Sequence, residues 1–300
     1  MNQPDASRSG IVALFGRPNA GKSTLLNRLV GERVSIVTHK PQTTRHRVTG
    51  IVNRPGGQLV LVDTPGLHRR RDHALNRHLN RVAAEALRGV DLAVLMIDAS
   101  HPTEEDEAAA RAVGQAEVDA VLVFNKIDRI KLRSDLLPLA ETWAGKVDAL
   151  EVFFISALKG DGVDELADGL IRHLPEQAPL YPADEFTAES SRFLAAEIVR
   201  GQLLENLHQE VPYGTTVMIE SFDEEQPGRL RISALILVAE KRHKGMVIGQ
   251  GAQTLKRIGM RARQAMQELF GMKVHLDLNV RVEQGWMDRE GEFPRLGYRR

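Results

Sequence analysis

The chain of 300 residues contains no cysteine and has no net charge. The lack of cysteine excludes disulfides, thiolate metal sites and cysteine nucleophiles, and it is typical of proteins kept in a reducing cytosol. No apolar run reaches about 18 residues, and the polar start Met1–Gly10 does not resemble a signal peptide, so neither a transmembrane segment nor secretion is expected. A balance of 40 basic and 40 acidic side chains excludes indiscriminate electrostatic binding to nucleic acid as the main mode of action.

The neutral total hides two basic stretches. From His39 to Arg81 there are nine Lys and Arg against two acidic residues, and from Lys241 to Arg281 the counts are again nine and two. Residues 184–225 supply the acidic counterweight. Such stretches are either solvated faces or surfaces for nucleic acid, and a motif inside the stretch is needed to separate the two interpretations.

Short apolar runs alternate with amphipathic segments in the first part of the chain. The runs predict strands at Ile11–Phe15, Arg47–Asn53, Leu59–Asp63, Leu92–Asp98, Val121–Asn125 and Val152–Ile155. Helices are expected at Lys22–Leu29, Leu75–Leu87, Glu104–Gly114, Asp135–Trp143 and Val163–Leu174. This alternation predicts an α/β fold with a mostly parallel sheet.

Three prolines, Pro175, Pro179 and Pro182, then interrupt the pattern. Because proline fits neither a helix interior nor a central strand, we expect a first domain over residues 1–175, a proline-rich linker over 176–186 and a second domain with a C-terminal tail over 187–300. The second domain is predicted as helix, two strands, short helix, glycine-rich turn, long helix and strand. Its longer elements are Glu189–His208, Thr215–Phe222, Leu230–Val238, Leu255–Phe270 and Lys273–Val282.

A phosphate-binding motif follows the first predicted strand. Residues Gly16 to Ser23 match G-x-x-x-x-G-K-[ST] and open a predicted helix. The glycines let successive backbone N–H groups face phosphates, and the helix N-terminus adds positive potential. Lys22 is expected to reach the β- and γ-phosphates, and the Ser23 hydroxyl is expected to bind Mg²⁺. The nucleotide contacts predicted here are Gly16, Arg17, Pro18, Asn19, Ala20, Gly21, Lys22, Ser23 and Thr24.

Three further motifs end predicted strands. Asp63 opens D-T-P-G, where its carboxylate can hold Mg²⁺ through water and the Gly66 N–H can approach a γ-phosphate. Asp128 closes N-K-x-D and can accept hydrogen bonds from N1–H and the exocyclic amine of guanine, a donor pair that adenine lacks. The third motif, S-A-L at residues 156–158, follows the next strand, and a backbone N–H there can meet the guanine oxygen. The predicted contacts are Asp63, Thr64, Pro65, Gly66, Leu67, Asn125, Lys126, Asp128, Ser156, Ala157 and Leu158.

In order and spacing these motifs resemble the Ras-like superfamily of P-loop GTPases. The segment Pro41–Arg45 resembles the first switch of that superfamily, where a threonine completes Mg²⁺ coordination when GTP is bound. Related bacterial GTPases favour Thr44 over Thr43, although either hydroxyl can instead cap a turn or a strand. The resemblance implies a GTP-hydrolysing enzyme in which Lys22, Thr44 and Gly66 act in catalysis. It implies that Ser23, Thr44 and, through water, Asp63 hold Mg²⁺.

Two residues depart from the Ras pattern or add to it. Ras-like proteins usually carry a water-positioning Gln after the D-x-x-G glycine, and this chain has Leu67 there, so slow intrinsic hydrolysis is expected. In some bacterial relatives an Asn at the position of Asn19 helps to bind K⁺, which substitutes for an arginine finger. The alternative is that Asn19 only shapes the loop.

A glycine loop lies inside the second basic stretch, between two predicted helices. The element order resembles a type II KH domain of the α+β class, in which a G-x-x-G loop clamps the backbone of single-stranded nucleotides. Ala252 replaces the last glycine of the loop, and the turn is expected to persist because alanine is tolerated at a helix N-terminus. A helical hairpin with a solvated basic face is the alternative. The predicted RNA contacts are Lys244, Val247, Ile248, Gly249, Gln250, Gly251, Ala252, Lys256 and Arg257.

Together the P-Q-T-T-R switch, D-T-P-G-L-H, N-K-x-D, the proline-rich stretch and the KH-like region resemble the Era family of bacterial GTPases, in the Era/TrmE-related group. The resemblance spans about Ser9 to Tyr298. It implies a cytoplasmic GTP/GDP switch that binds the 3′ end of 16S rRNA in the 30S subunit and assists subunit assembly and rRNA maturation, with peripheral contact to the inner membrane. The alternatives are a GTP-dependent regulator of another RNA or of a membrane-linked partner, and a metabolic kinase.

Overall fold

The structure is a computed structural model that describes residues 7–40, 42–66 and 73–298, apart from the side chains of Ala144 and Glu225. By their internal contacts these residues form two units. Unit 1 contains residues 7–35, 44–66 and 79–188, and unit 2 contains residues 189–298 together with the described residues of 36–43 and 73–78.

Unit 1 is built on a six-stranded sheet in the order β2-β3-β1-β4-β5-β6. Its strands are β1 (Arg8–Phe15), β2 (Val48–Arg54), β3 (Gly57–Asp63), β4 (Leu92–Asp98), β5 (Ala120–Asn125) and β6 (Ala149–Ile155). All neighbours are parallel except β2 and β3, which form an antiparallel hairpin from Val48 opposite Asp63 to Arg54 opposite Gly57. The mixed, mostly parallel sheet predicted from the apolar runs is therefore confirmed.

Helices cover both faces of this sheet. They are α1 (Lys22–Val30), α2 (Ala74–Glu85), α3 (Glu104–Gln115), α4 (Leu136–Ala144) and α5 (Val163–Arg172). On one face Phe15, Leu95 and Phe124 form a buried cluster with side chains of α3 and α4. On the other face α1 and α5 contact β1 and its neighbours. Strands buried on both faces explain why the sequence reads as continuous apolar runs rather than as an alternating pattern.

The predicted linker is part of unit 1. The Ser9 N–H donates to Pro175 O at 3.1 Å, and the Ile51 N–H donates to Phe186 O at 2.9 Å along strand β2. Between these points the Gln58 side chain accepts the N–H groups of Leu180 and Tyr181 at 2.8 and 2.9 Å. The prediction of a separate linker over 176–186 is wrong, because a segment that proline keeps extended can still hydrogen-bond along a sheet.

Unit 2 is a three-stranded sheet covered by helices. The sheet order is β7-β8-β9, with β7 (Thr215–Gln226) antiparallel to β8 (Arg229–Val238) and β9 (Lys273–Val282) parallel to it. The helices are α6 (Ser191–Asn206), α7 (Lys241–Ile248) and α8 (Gln253–Phe270). Val199, Ile236 and Ile258 are fully buried in its core. The order α6-β7-β8-α7-α8-β9 is the one predicted from the sequence.

The C-terminal tail packs inside unit 2. The Trp286 indole donates to Gly214 O at 3.1 Å and stacks on Tyr298 with ring centroids 6.0 Å apart. Asp288 lies at the start of α2, where its Oδ1 accepts the Ala74 N–H at 3.0 Å and its Oδ2 lies 3.0 Å from His73 Nδ1. A carboxylate there satisfies a free helix donor and suits the positive end of the helix dipole.

Candidate functional site

The phosphate loop joins β1 to α1 in conformations that glycine permits. Gly16 has φ 147° and Gly21 has φ 107°, and Asn19 between them also has a positive φ of 63°. A Cβ on Gly16 would lie 2.5 Å from Met96 O, and one on Gly21 would overlap the Asn125 amide. The two motif glycines are therefore needed for close backbone packing as well as for the turn.

Lys22 is buried at the start of α1 and points back into the loop. Its ammonium donates to Gly16 O at 2.9 Å and to Arg17 O at 3.1 Å. Burial lowers the pKa of Lys22 to about 8, although the charge of Asp63 acts in the opposite direction. A phosphate bound in this loop would restore the preference of Lys22 for its charged form, because an opposite charge nearby raises the pKa of an amine.

Four oxygen-bearing side chains meet at the carboxyl end of β3. Ser23 Oγ donates to Asp63 Oδ2 at 2.5 Å, and Ser35 Oγ donates to the same atom at 2.8 Å. Thr44 Oγ1 lies 2.9 Å from Ser23 Oγ and 3.3 Å from Asp63 Oδ2. The structure thus brings together the three residues that the sequence assigns to Mg²⁺, and it adds Ser35, which lies in no recognisable motif.

This oxygen cluster suits a hard divalent cation. Asp63 is fully buried, and within the described part of the chain its Oδ1 is a buried atom without a hydrogen-bond partner. Burial raises the pKa of Asp63, against the charge of Lys22 and the hydrogen bonds from the three hydroxyls. Mg²⁺ prefers carboxylate, hydroxyl and water oxygens, and a nearby cation would stabilise this buried carboxylate.

The two neighbouring threonines have different partners. Thr43 Oγ1 donates to Lys40 O at 2.6 Å and lies 2.6 Å from Thr38 Oγ1, so its hydroxyl closes a turn. The hydroxyl of Thr44 lies among the oxygens of Ser23 and Asp63. This geometry favours Thr44 as the metal ligand.

The N-K-x-D and S-A-L segments are fastened to each other and to the phosphate loop. Asn125 Nδ2 donates to Ala20 O at 2.8 Å, and its Oδ1 accepts the Ala157 N–H at 2.9 Å. Ser156 Oγ donates to Asp128 Oδ1 at 2.6 Å, which holds the carboxylate that the sequence assigns to guanine. The sequence predicts that Asn125 contacts the nucleotide. In the structure its amide joins the N-K-x-D segment to the phosphate loop and to the S-A-L segment.

Two charged residues outside the motifs, Asp98 and Arg28, support these loops, and sequence reasoning missed them. Lys126 Nζ pairs with Asp98 Oδ2 at 2.6 Å. Burial raises the pKa of Asp98, but the hydrogen bonds from Lys126 and Ser100 outweigh this effect and leave it below its usual value. Arg28 donates to the carbonyl oxygens of Ala157 and Leu158. Asp98 ends a predicted strand at the same sheet edge as Asp63, which is the one signal that could have identified it.

The D-T-P-G segment is described as far as Gly66. Thr64 Oγ1 donates to Leu14 O at 2.9 Å, and a Cβ on Gly66 would lie 2.6 Å from Pro18 N. Gly66 therefore packs directly on the phosphate loop, where only a glycine fits. Leu67 and Pro41 lie outside the described residues, so the expectation of slow hydrolysis that rests on Leu67 stays a prediction.

The glycine loop of unit 2 joins α7 to α8. Gly249 has φ 73° and ψ 169°, a conformation open essentially to glycine, and Gly251 has φ 56°. Ala252 has φ 61° and ψ 21°, so the turn persists with an alanine in the left-handed region. The sequence predicts that alanine is tolerated here as an ordinary helix start, whereas the structure holds it in a conformation that costs an L-residue about 1–2 kcal/mol.

The predicted RNA contacts divide by exposure. Lys244, Gln250 and Gly251 are exposed, as are Lys256 and Arg257 in the first turns of α8. Gly249, Ile248 and Ala252 are half-buried. The assignment of Val247 is wrong, because its side chain is fully buried in the core of unit 2, where an apolar residue on the inner face of α7 belongs.

Comparisons with known proteins agree with both units. Residues 11–126 match the family model described as 50S ribosome-binding GTPase, and residues 210–287 match the KH domain model. GTPase Era of Xanthomonas oryzae pv. oryzae is 51% identical, with 97% of each chain covered. The chain belongs to the Era family of GTPases. GTPase Era of Stenotrophomonas maltophilia is 47% identical over 99% of this chain and all of its own length.

Two solved structures of the family superpose over nearly the whole chain. A variant of Aquifex aeolicus Era bound to GDP and AlF₄⁻ has a TM-score of 0.92 at 36% identity, covering 97% of this chain and 99% of its own. Era in complex with MgGDPNP and nucleotides 1506–1542 of 16S ribosomal RNA has a TM-score of 0.93 at the same identity and coverage. The expected fold class, a Ras-like GTPase domain followed by a KH domain, is confirmed. The protein is a GTP-hydrolysing enzyme.

Within the described ranges, no helix is both long and apolar enough to cross a membrane.

Proposed function

We propose that the protein is a GTP-dependent switch that binds the 3′ end of 16S rRNA and assists maturation of the small ribosomal subunit. The observation that carries the proposal is the similarity to an Era structure that holds MgGDPNP and nucleotides 1506–1542 of 16S rRNA, at a TM-score of 0.93. The exposed glycine loop with Lys244, Lys256 and Arg257 supports it, since backbone clamping and nearby positive charge suit a single strand.

In the nucleotide site each residue has a chemical task. The loop N–H groups and Lys22 hold the β- and γ-phosphates, and Asp128 selects guanine. Ser23, Thr44 and Asp63 would hold Mg²⁺, which when bound neutralises charge on the phosphates. Gly66 packs on the phosphate loop, and its N–H would stabilise the negative charge that grows on the γ-phosphate during hydrolysis. Positioning and charge stabilisation thus account for catalysis by this chain's own groups.

Potassium is a finer proposal for the same site. Asn19 lies in the phosphate loop with a left-handed backbone conformation, at φ 63°. We propose that K⁺ binds there and accelerates hydrolysis, which Leu67 does not assist. Hydrolysis rates measured in K⁺ and in Na⁺, with and without RNA, should differ, and equal rates would remove K⁺ from the mechanism.

The RNA proposal is tested by binding of a labelled single-stranded RNA that corresponds to the 3′ end of 16S rRNA, in GDPNP and in GDP. The double variant Lys256→Ala/Arg257→Ala should weaken binding and reduce the slope of log K against log salt by about 1.4, since each phosphate contact on a single strand contributes about 0.7. Lys273→Ala removes an exposed lysine at the start of β9 and serves as the matched control.

Absent or salt-insensitive binding to this RNA would favour the alternative, a GTP-dependent regulator of another RNA or of a membrane-linked partner. Because small subunits assemble in the cytoplasm, the proposal places the protein there. Peripheral contact with the inner membrane stays a prediction.

A further inference from the structure

Lys40 and Thr43, which precede the metal-site threonine, are held by α6 inside unit 2. Lys40 Nζ donates to the carbonyl oxygens of Leu204 and Leu207 at the end of that helix. Arg200, one turn earlier, donates from Nη2 to Thr43 O. The lysine satisfies carbonyl groups that a helix end leaves without partners, and its charge suits the negative end of the helix dipole.

Arg200 is positioned rigidly for this contact. It is 2% exposed and pairs with Glu197, which is 6% exposed, through Nε to Oε1 and Nη2 to Oε2, both at 2.7 Å. Burial lowers the pKa of Arg200, but the charge and hydrogen bonds of Glu197 outweigh this effect and raise it, so the group stays ionised. Two parallel hydrogen bonds fix the plane of the guanidinium, and this aims the remaining Nη2 hydrogen at Thr43.

Thr43 passes this constraint to Thr44. The Thr43 carbonyl and the Thr44 N–H belong to one planar peptide unit, so fixing the carbonyl also fixes the direction in which Thr44 begins. The hydroxyl of Thr43 is engaged by Lys40 O and Thr38 Oγ1, which holds the residue from its other side. Thr44 then places Oγ1 within 2.9 Å of Ser23 Oγ.

We propose that Arg200, held by Glu197, is a positioning residue for the GTP-bound metal site, and that it acts through the Thr43–Thr44 peptide. The inference rests on the proposed function, in which Thr44 helps to hold Mg²⁺, and on the resemblance to the first switch of Ras-like GTPases, which implies that Thr44 does so when GTP is bound. The Arg200 contact should therefore strengthen the binding of GTP relative to the binding of GDP. By linkage, a bound γ-phosphate should in turn strengthen the contacts of α6 with Lys40 and Thr43.

The test compares Mg²⁺-dependent affinities for GDPNP and GDP in single and double variants. Arg200→Lys keeps a positive charge beside Glu197 but removes the fork that reaches Thr43 O. We expect it to weaken GDPNP binding by about fivefold, because one hydrogen bond is lost. The affinity for GDP should stay within about twofold of that of the unmodified protein. Thr44→Ala should show the same selectivity. Adding Arg200→Lys to Thr44→Ala should cause no further loss, because both changes remove one coupled interaction.

Arg192→Lys is the matched control, since Arg192 lies on the same helix and donates to Ile219 O at 3.0 Å within unit 2. It should leave both affinities unchanged. An unchanged ratio of GDPNP to GDP affinity in Arg200→Lys, or an equal loss of both, would overturn the proposal if Thr44→Ala still loses GDPNP selectively. If Thr44→Ala itself binds GDPNP normally, the metal assignment in the proposed function fails, and the inference falls with it.

Glu197→Gln provides a second route in case Arg200→Lys does not fold. The amide keeps the size of the carboxylate and one acceptor oxygen, but it no longer forms the bidentate pair that orients Arg200. We expect a selective loss of GDPNP affinity in the same direction and of smaller size. If Glu197→Gln binds GDPNP and GDP with the same affinities as the unmodified protein, Arg200 has no positioning role.

Discussion

Nucleotide binding by this protein should take up a proton at alkaline pH. Lys22 is buried against Gly16 O and Arg17 O, and burial lowers its pKa to about 8. A bound phosphate stabilises the ammonium and raises that pKa. Below pH 8 the lysine is charged in both states, so little changes. Between pH 8 and the higher pKa of the complex, binding must protonate Lys22.

The size of the effect follows from the pKa of about 8 for free Lys22. At pH 8.5 about three quarters of the free sites are neutral, so each GDP bound should take up about 0.75 proton, against about 0.1 at pH 7. The affinity should fall about tenfold from pH 7 to pH 9, because the charged fraction of free Lys22 falls from about 0.9 to about 0.09 over that range. This corresponds to about 1.4 kcal/mol.

Calorimetric titration with GDP in two buffers of different ionisation enthalpy measures the proton count directly. Omitting Mg²⁺ keeps the titration of Asp63 out of the measurement. Lys22→Arg is the matched control, since guanidinium does not titrate below about pH 12 and its residual binding should take up no proton. Proton uptake that persists in this variant, or an affinity independent of pH up to 9, would refute the assignment of the lowered pKa to Lys22.

Three further substitutions test other parts of the molecule. Asp128→Asn should move nucleotide preference from guanine toward xanthine, which presents a carbonyl where guanine has its amine; competition binding with GDP and XDP measures this, and unchanged selectivity would contradict the role of Asp128. Ala252→Gly should raise the free energy of unfolding by about 0.5 kcal/mol, because the relief of left-handed strain exceeds the entropy that glycine adds to the unfolded chain. Ala265→Gly inside α8 should instead lower the free energy of unfolding by about 1 kcal/mol. Changes of the same sign in the two variants would refute this account. Asp288→Ala should lower the free energy of unfolding, measured with denaturant, by about 1 kcal/mol because the Ala74 N–H loses its acceptor. Asp288→Asn keeps an acceptor oxygen and should lower the free energy of unfolding much less. Equal losses in the two variants would assign the effect to charge instead.

Elements with a local physical requirement could be predicted from the sequence. The strand–loop–helix around Gly16 and Lys22 needs glycine conformations and a helix start at a fixed spacing, and the structure has both. Asp63 and Asp128 follow apolar strands, and parallel strands bring their carboxyl ends to one edge. Site residues whose positions depend on nearby residues in the sequence can therefore be predicted from the motif and the strand or helix beside it.

Features that depend on distant pairing could not be predicted in this way. Arg200 and Thr43 are 157 positions apart, and nothing near either residue indicates the other. Ser35 reaches Asp63 from a stretch without regular structure. Val247 lies in a loop-flanking helix whose short apolar pattern does not reveal which side faces the core. Amphipathic periodicity is a weak guide in a helix of only eight residues.

The attachment of residues 176–187 to unit 1 determines where this protein can be divided. An N-terminal fragment that stops at Pro175 would remove Leu180 and Tyr181, which bind the Gln58 side chain through their N–H groups and through Tyr181 O, the last at 2.8 Å. It would also remove Thr187, which forms a bridge with Gly50 on β2 and donates to Thr49 O at 2.6 Å. Strand β2 would then become an open sheet edge, which invites pairing between chains. A fragment that extends to Ala188 keeps that edge covered and should remain monomeric at concentrations where the shorter one aggregates.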